Sequence, residues 1–175
     1  IFGYTWRNSK NHTSVKYPST TEWMQCNTVQ GWLINVKPEF SKYDSERRTR
    51  FWRAEGNINY GFSEKTWRGG LRLERRFESK FYSNIELSGG SAAVQFSDKN
   101  PIGNLTNLLY GMYAKRNYMK LYEKTFAKAE YSRYLMPGLW LRADVEWADR
   151  RALVNHSDYS WFKKERVYTP NAPLT

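Results

Sequence analysis

From Trp32 to Arg150 the chain alternates apolar and charged side chains, position by position, in stretches of about ten residues. A period of two puts one kind of side chain on each face of an extended strand. The pattern predicts strands over 32–42, 51–62, 69–78, 84–96, 118–133 and 139–150. Over 32–42 one face carries Trp32, Ile34, Val36, Pro38 and Phe40, and the other Asn35, Lys37, Glu39 and Ser41. Over 51–62 Trp52, Ala54, Ile58 and Tyr60 oppose Arg53, Glu55, Asn57 and Asn59. Over 69–78 Leu71, Leu73 and Phe77 oppose Arg72, Glu74 and Arg76. The fourth stretch slips at Gly89-Gly90, as a bulge or kink would make it. The turns are charged (Asp44-Ser45-Glu46-Arg47-Arg48) or carry Pro and Gly (Leu135-Met136-Pro137-Gly138). Between 101 and 113, Ile102, Leu105, Leu108, Leu109 and Met112 fall at helical spacing, which predicts one short amphipathic helix in a loop. Residues 1–30 and 154–175 read as loop-rich, with one strand possible in the first segment and another over 161–168.

Neighbouring strands should satisfy both faces at once. Leu139 opposite Arg133 brings Arg142 to Glu130 and Asp144 to Lys128. Phe62 opposite Gly69 brings Tyr60 to Leu71, Glu55 to Arg76 and Arg53 to Glu78. Phe40 opposite Trp52 brings Lys37 to Glu55 and Glu39 to Arg53. Pro38 conflicts with that last pairing, because it cannot donate to a ladder.

Alternation alone also describes a soluble antiparallel sandwich with its apolar face inward. Three features favour a transmembrane β-barrel instead. The strands are longer than the usual five or six residues. The polar faces carry charges of both signs. Trp and Tyr gather near strand ends, as in the belts at membrane interfaces. The bulk composition agrees: aromatics reach 17% of 175 residues, yet mean hydropathy is −0.81. A wall with one polar face and one greasy face explains both numbers. No apolar run approaches the ~18 residues of a membrane helix, which says nothing against strands. The chain starts at Ile1 inside an alternating stretch and ends in a Pro-rich loop, so it reads as a piece of a longer protein.

The 28 Lys and Arg against 17 Asp and Glu leave a net charge of +11. These bases are spread over many strands and have acidic neighbours, and no RNP-like or zinc-finger spacing occurs, so nucleic acid is not an expected partner. Basic loop residues such as Arg47, Arg48, Arg50, Lys163, Lys164 and Arg166 suit anionic lipid head groups, or are simply solvated. Little points to catalysis. His12 and His156 are the only histidines. Ser88-Gly89-Gly90-Ser91 lacks the nucleophile-elbow spacing. His156 beside Ser157 and Asp158 is a polar loop cluster of an ordinary kind. Cys26 stands alone, so neither a disulfide within the chain nor a metal spacing exists. No catalytic residue, metal or cofactor is expected.

Four stretches carry a family likeness: Asn27-Thr28-Val29-Gln30-Gly31; Lys99-Asn100-Pro101-Ile102; Arg116-Asn117-Tyr118-Met119-Lys120-Leu121-Tyr122-Glu123-Lys124; and Glu146-Trp147-Ala148-Asp149-Arg150-Arg151. Across roughly Asn27 to Tyr159 the chain resembles the barrel region of an uncharacterised family of Bacteroidetes outer-membrane proteins. Those proteins carry a carboxypeptidase-regulatory-like β-sandwich ahead of the barrel. The resemblance implies a bacterial outer-membrane location, with lipid and lipopolysaccharide as surroundings and other envelope proteins as partners. It implies no enzyme activity.

The expectation is therefore an all-β, antiparallel meander forming one barrel segment over residues 1–175, with a structural, transport or envelope-assembly role. The lumen face would hold Lys37, Glu39, Arg53, Glu55, Arg72, Glu74, Arg76, Lys120, Lys124, Lys128, Glu130, Arg142, Asp144 and Glu146. The lipid face would hold Trp52, Ile58, Leu71, Leu73, Leu141, Val145 and Trp147. Surplus lysine on the fifth strand would favour anionic solutes in an open pore. The competing expectation is a soluble or cell-surface β module that binds glycan or another anionic ligand.

Overall fold

The computed structural model describes residues 3–19, 23–44, 50–77, 82–97 and 101–171. The expected turn residues Ser45–Arg48, the Glu78 pairing, Lys99-Asn100 and the last four residues lie outside these. Ten antiparallel strands follow in order: β1 (Tyr4–Asn8), β2 (Thr13–Tyr17), β3 (Met24–Asn27), β4 (Gly31–Val36), β5 (Glu39–Tyr43), β6 (Phe51–Gly61), β7 (Thr66–Phe77), β8 (Ser83–Gln95), β9 (Leu121–Met136) and β10 (Leu139–Ala152). They form a single open sheet, β1-β2-β5-β6-β7-β8-β9-β10, in which β4 also pairs with β6 and β3 with β4.

The first thirty residues hold three short strands rather than a loop, and no strand forms over 161–168. The expected strand over 32–42 is split at Lys37-Pro38. Its halves, β4 and β5, pair with β6 in one continuous register, Ile34 opposite Tyr60 and Phe40 opposite Ala54. Pro38 keeps its place in the ladder by accepting only: the Gly56 amide donates to its carbonyl at 2.9 Å. Beyond Pro38 the outer neighbour changes from β3 to β2. The proline thus marks a fork, where a lost N–H costs least.

The registers differ from those expected, by two or four residues. Leu141 faces Arg133, Phe40 faces Ala54, and Tyr60 faces Trp67. Even-numbered slips leave every side chain on its own face. Turn length sets the true register. The β9–β10 turn is only Pro137-Gly138, with Gly138 at φ +82 as the second turn position requires. The β6–β7 turn is 62–65, so β7 begins at Thr66 rather than Gly69.

The sheet curls into a trough. Tyr17 near its β2 end and Phe126 on β9 line one cavity of about 900 Å³. A flat sheet would hold them five strand spacings, roughly 24 Å, apart. Close backbone approach at Gly70 and Gly90, which face each other, helps the curl. Gly90 has φ +140, and a Cβ there would lie 2.2 Å from the Gly69 carbonyl oxygen. The faces exchange around this point, as the slip at Gly89-Gly90 suggests. Ile85 and Leu87 point away from the trough, whereas Ala93 packs inward on a buried cluster.

That cluster is where the apolar core sits, and it is not on the sheet's greasy face. Val29, Met119, Leu121 and Leu153 meet at one end of the trough. Val29, Met119 and Leu153 belong to a cap made from the β3–β4 turn, residues 101–120 and residues 153–171, and close on Leu121 at the start of β9. The expected helix is α1 (Asn104–Leu109), continued by a π-helical turn, Tyr110–Ala114. The expected apolar stripe is only partly covered: Met112 is buried and Ile102 and Leu108 half-buried, but Leu105 and Leu109 face out, and Asn107 and Gly111 are buried instead. Buried Lys115 ties the cap, its Nζ donating to Asp158 Oδ2 at 2.9 Å and to the Lys164 carbonyl at 3.1 Å. Asn171 closes it: its Oδ1 accepts from the Leu121 amide at 2.9 Å, and its Nδ2 donates to the carbonyls of Leu121 and Leu153.

Candidate functional site

The trough floor is a lattice of charges. In the observed register one row reads Arg53, Glu74, Glu86, Glu130 and Asp144 across β6 to β10. The next reads Glu39, Glu55, Arg72, Ser88, Lys128 and Glu146 across β5 to β10. Carboxylates therefore stand directly opposite carboxylates at several crossings, which alone would destabilise the sheet. Bases directly opposite or on the diagonals relieve this. Arg53 reaches Glu74 at 3.1 Å and Glu39 at 3.3 Å. Arg72 reaches Glu86 at 2.8 Å and Glu55 at 3.4 Å. Arg142 and Lys128 hold Glu130 at 2.7 and 3.1 Å. Lys128 lies 3.9 Å from Asp144, and Lys124 lies 2.8 Å from Glu146. The expected partners Arg142–Glu130 and Lys128–Asp144 thus meet on diagonals instead of face to face.

Three residues expected on this face stand apart. Lys37 is exposed at the trough rim. Arg76 stacks over the Phe51 ring at 4.7 Å. Lys120 precedes β9 and belongs to the cap, where its Nζ donates to Thr169 Oγ1 at 2.9 Å and to the Pro170 carbonyl. Burial lowers the pKa of Lys120 from its ordinary value. The fifth-strand lysines are engaged one by one, so no surplus of positive charge faces the trough from them.

Alternation missed a buried centre. The Arg68 side chain is 1% exposed. It donates to both carboxylate oxygens of Glu64 at 2.6 Å and to Glu123 Oε1 at 3.2 Å, which also accepts from Ser91 Oγ. This fork–fork pairing pins the β6–β7 turn to β8 and β9.

The opposite face is greasy and uncovered. Trp52, Ile58, Leu71, Leu73, Leu141, Val145 and Trp147 lie between 39% and 70% exposed. Aromatic residues rim it. Tyr60 packs against Phe62 and Trp67 at the cap end. At the turn end Arg75 lies over Trp52 at 4.5 Å while donating to Asp44 at 2.9 Å.

The polar loop cluster at His156 is tied into the cap. The His156 amide donates to the Thr28 carbonyl, and Asp158 is held by Lys115. Among the described residues no three His, Cys, Asp or Glu side chains converge as a metal requires. Burial pushes the Cys26 thiol up to about 11, which suppresses the reactive thiolate.

A second, smaller cavity of about 280 Å³ lies under the cap and is lined largely by Asn and Gln side chains. It shares Lys37, Asn57 and Ala92 with the larger one.

No curated protein and no solved structure matches the chain. A family of unknown function does, over residues 1–175. The chain therefore belongs to the DUF5686 family, as its C-terminal domain.

Proposed function

We propose that this domain is part of the wall of a bacterial outer-membrane β-barrel, with its apolar face against lipid and lipopolysaccharide and its charged trough turned to the lumen. The observation that carries the reading is the place of Ile34, Ile58, Leu73, Leu141 and Val145. All five are exposed, while the chain's own core lies elsewhere, in the cap. A soluble sandwich would bury that face against a second sheet. Dimensions support the reading. Trp52 and Phe62, ten positions apart, span roughly 33 Å along the strand and roughly 24 Å of membrane at a ~45° tilt, close to the ~25 Å apolar band of such barrels. β6 to β10 run 11 to 16 residues, enough for a tilted crossing. Barrels keep short turns in the periplasm and long connections outside. Pro137-Gly138 then faces the periplasm and the cap, with its long 101–120 segment, faces out.

The role is structural, or one of transport or envelope assembly, rather than catalysis. The floor suits a rigid wall, because its charges neutralise one another. Fractionation of native cells tests the reading. The intact protein should sediment with outer membranes and leave them only in detergent. Recovery in the soluble fraction without detergent would overturn it and leave a soluble β module in its place.

A further inference from the structure

We propose that the amide-lined cavity under the cap binds an uncharged sugar. The inference rests on side chains of this chain alone and stands whether or not the sheet lies in a membrane.

Part of the lining is locked. Asn27 Oδ1 accepts from the amides of Val29 and Gln30, Asn27 Nδ2 donates to Gln30 Oε1 at 3.0 Å, and Gln30 Nε2 donates to Asn59 Oδ1 at 2.7 Å. Against this fixed network two amides are unspent. Asn35 is only 9% exposed, and its Oδ1 is sheltered with no protein donor. Asn57 Oδ1 is in the same position. Both side chains line the cavity. A sheltered amide oxygen left unpaired is costly, so each acts as a standing acceptor for an incoming hydroxyl.

Charge decides the ligand class. Arg68 forms part of the wall, but its guanidinium is committed to Glu64 and Glu123. Lys37, which lines both this cavity and the trough, is solvent-exposed, so its charge is spent largely on water. Among the described lining residues the sheltered side chains are mostly neutral amides, which serve donors and acceptors alike. Met119 and Leu121 line the same space and add an apolar surface to it. A sugar ring, with hydroxyls on its edge and C–H groups on its faces, matches both kinds of surface. The volume, about 280 Å³, is just below the usual small-molecule range and suits one ring. The shared residues at its mouth open toward the 900 Å³ trough, where further rings of a chain would lie.

The test uses the intact protein in sugar-free amine-oxide micelles. Glucose, galactose, mannose and their disaccharides are titrated beside glucuronate and glucosamine, followed by saturation-transfer NMR. At least one neutral sugar should saturate, and the two charged comparators should bind more weakly. Asn35→Leu and Asn57→Leu should each weaken binding about tenfold or more, the loss of one good hydrogen bond. Leucine replaces an unpaired buried amide, so Asn35→Leu should keep or raise thermal stability, which separates lost binding from lost folding. The proposal fails if no neutral sugar saturates, if glucuronate binds best, or if binding survives Asn35→Leu. None of these outcomes bears on the membrane fractionation, which reads the outer face.

Discussion

Arg68 keeps its charge almost out of water because two carboxylates converge on it. Taking away one member of such a buried set costs about 3–5 kcal/mol, since the rest is left uncompensated. No face pattern could have exposed this centre. Arg68 lies one position before the point where alternation becomes clear, and Glu64 belongs to a turn, where polar residues are unremarkable. The signal that was present is an acid and a base four positions apart across a short turn. Cys26 shows the opposite use of burial. Its thiol is pushed up to about 11 because the thiolate would be desolvated. Iodoacetamide should therefore label folded Cys26 slowly at pH 8.5, where an ordinary thiol is half ionised, and the rate should climb only toward pH 11. Labelling at pH 8.5 as fast as in the urea-unfolded chain would refute this. The sign for stability follows by linkage. A folded pKa above the unfolded value gives stability that is complete below about pH 9 and is lost as pH rises through 11. Tyr168, raised to about 12 chiefly by burial, continues the loss at higher pH.

At the scale of strands, the two-residue period declared which side chains share a face, and the structure keeps those groupings over most of the sheet. It could not declare register, because a slip of two preserves both faces. Register came from turn lengths, which depend on backbone geometry at Gly138 and within 62–65. Short strands such as β1, β2 and β3 hold too few periods to stand out from loop. The exception along β8 was legible: Gly89-Gly90 broke the pattern, and there the two faces change places. Gly90→Ala tests how firmly this point is built. Its Cβ would meet the Gly69 carbonyl oxygen at 2.2 Å and the Gly70 Cα at 2.4 Å. The variant should lose about 2–3 kcal/mol on unfolding in urea, against about 1 kcal/mol for Gly138→Ala, where φ is also positive but nothing lies within 4 Å. Equal losses would mean that the β7–β8 approach is looser than this.

For the molecule as a whole, the distribution of apolar surface is reversed from that of a water-soluble domain: the greasy face is bare, and charges line the hollow. Val145, mid-strand on β10 and 70% exposed, turns this into a measurement. If the face meets hydrocarbon, Val145→Arg should lower folding stability in lipid vesicles by about 2–4 kcal/mol. If it meets water, the change should stay within about 0.5 kcal/mol. The small amide cavity and the cap above it could not be read from the sequence, because the one is lined by strands, and the other assembled from loops, that lie far apart in the chain. Asn27, Asn35 and Gln95 come together only through the fold. Asn171 is the extreme case, since its side-chain amide bonds main chain just where the β9–β10 ladder ends. Its amide offers one acceptor and two donors to backbone that would otherwise be bare at the start of β9 and just beyond the end of β10. A protease that nicks the tail ahead of this asparagine would unfasten both strands at once, like a zip that has lost its upper stop.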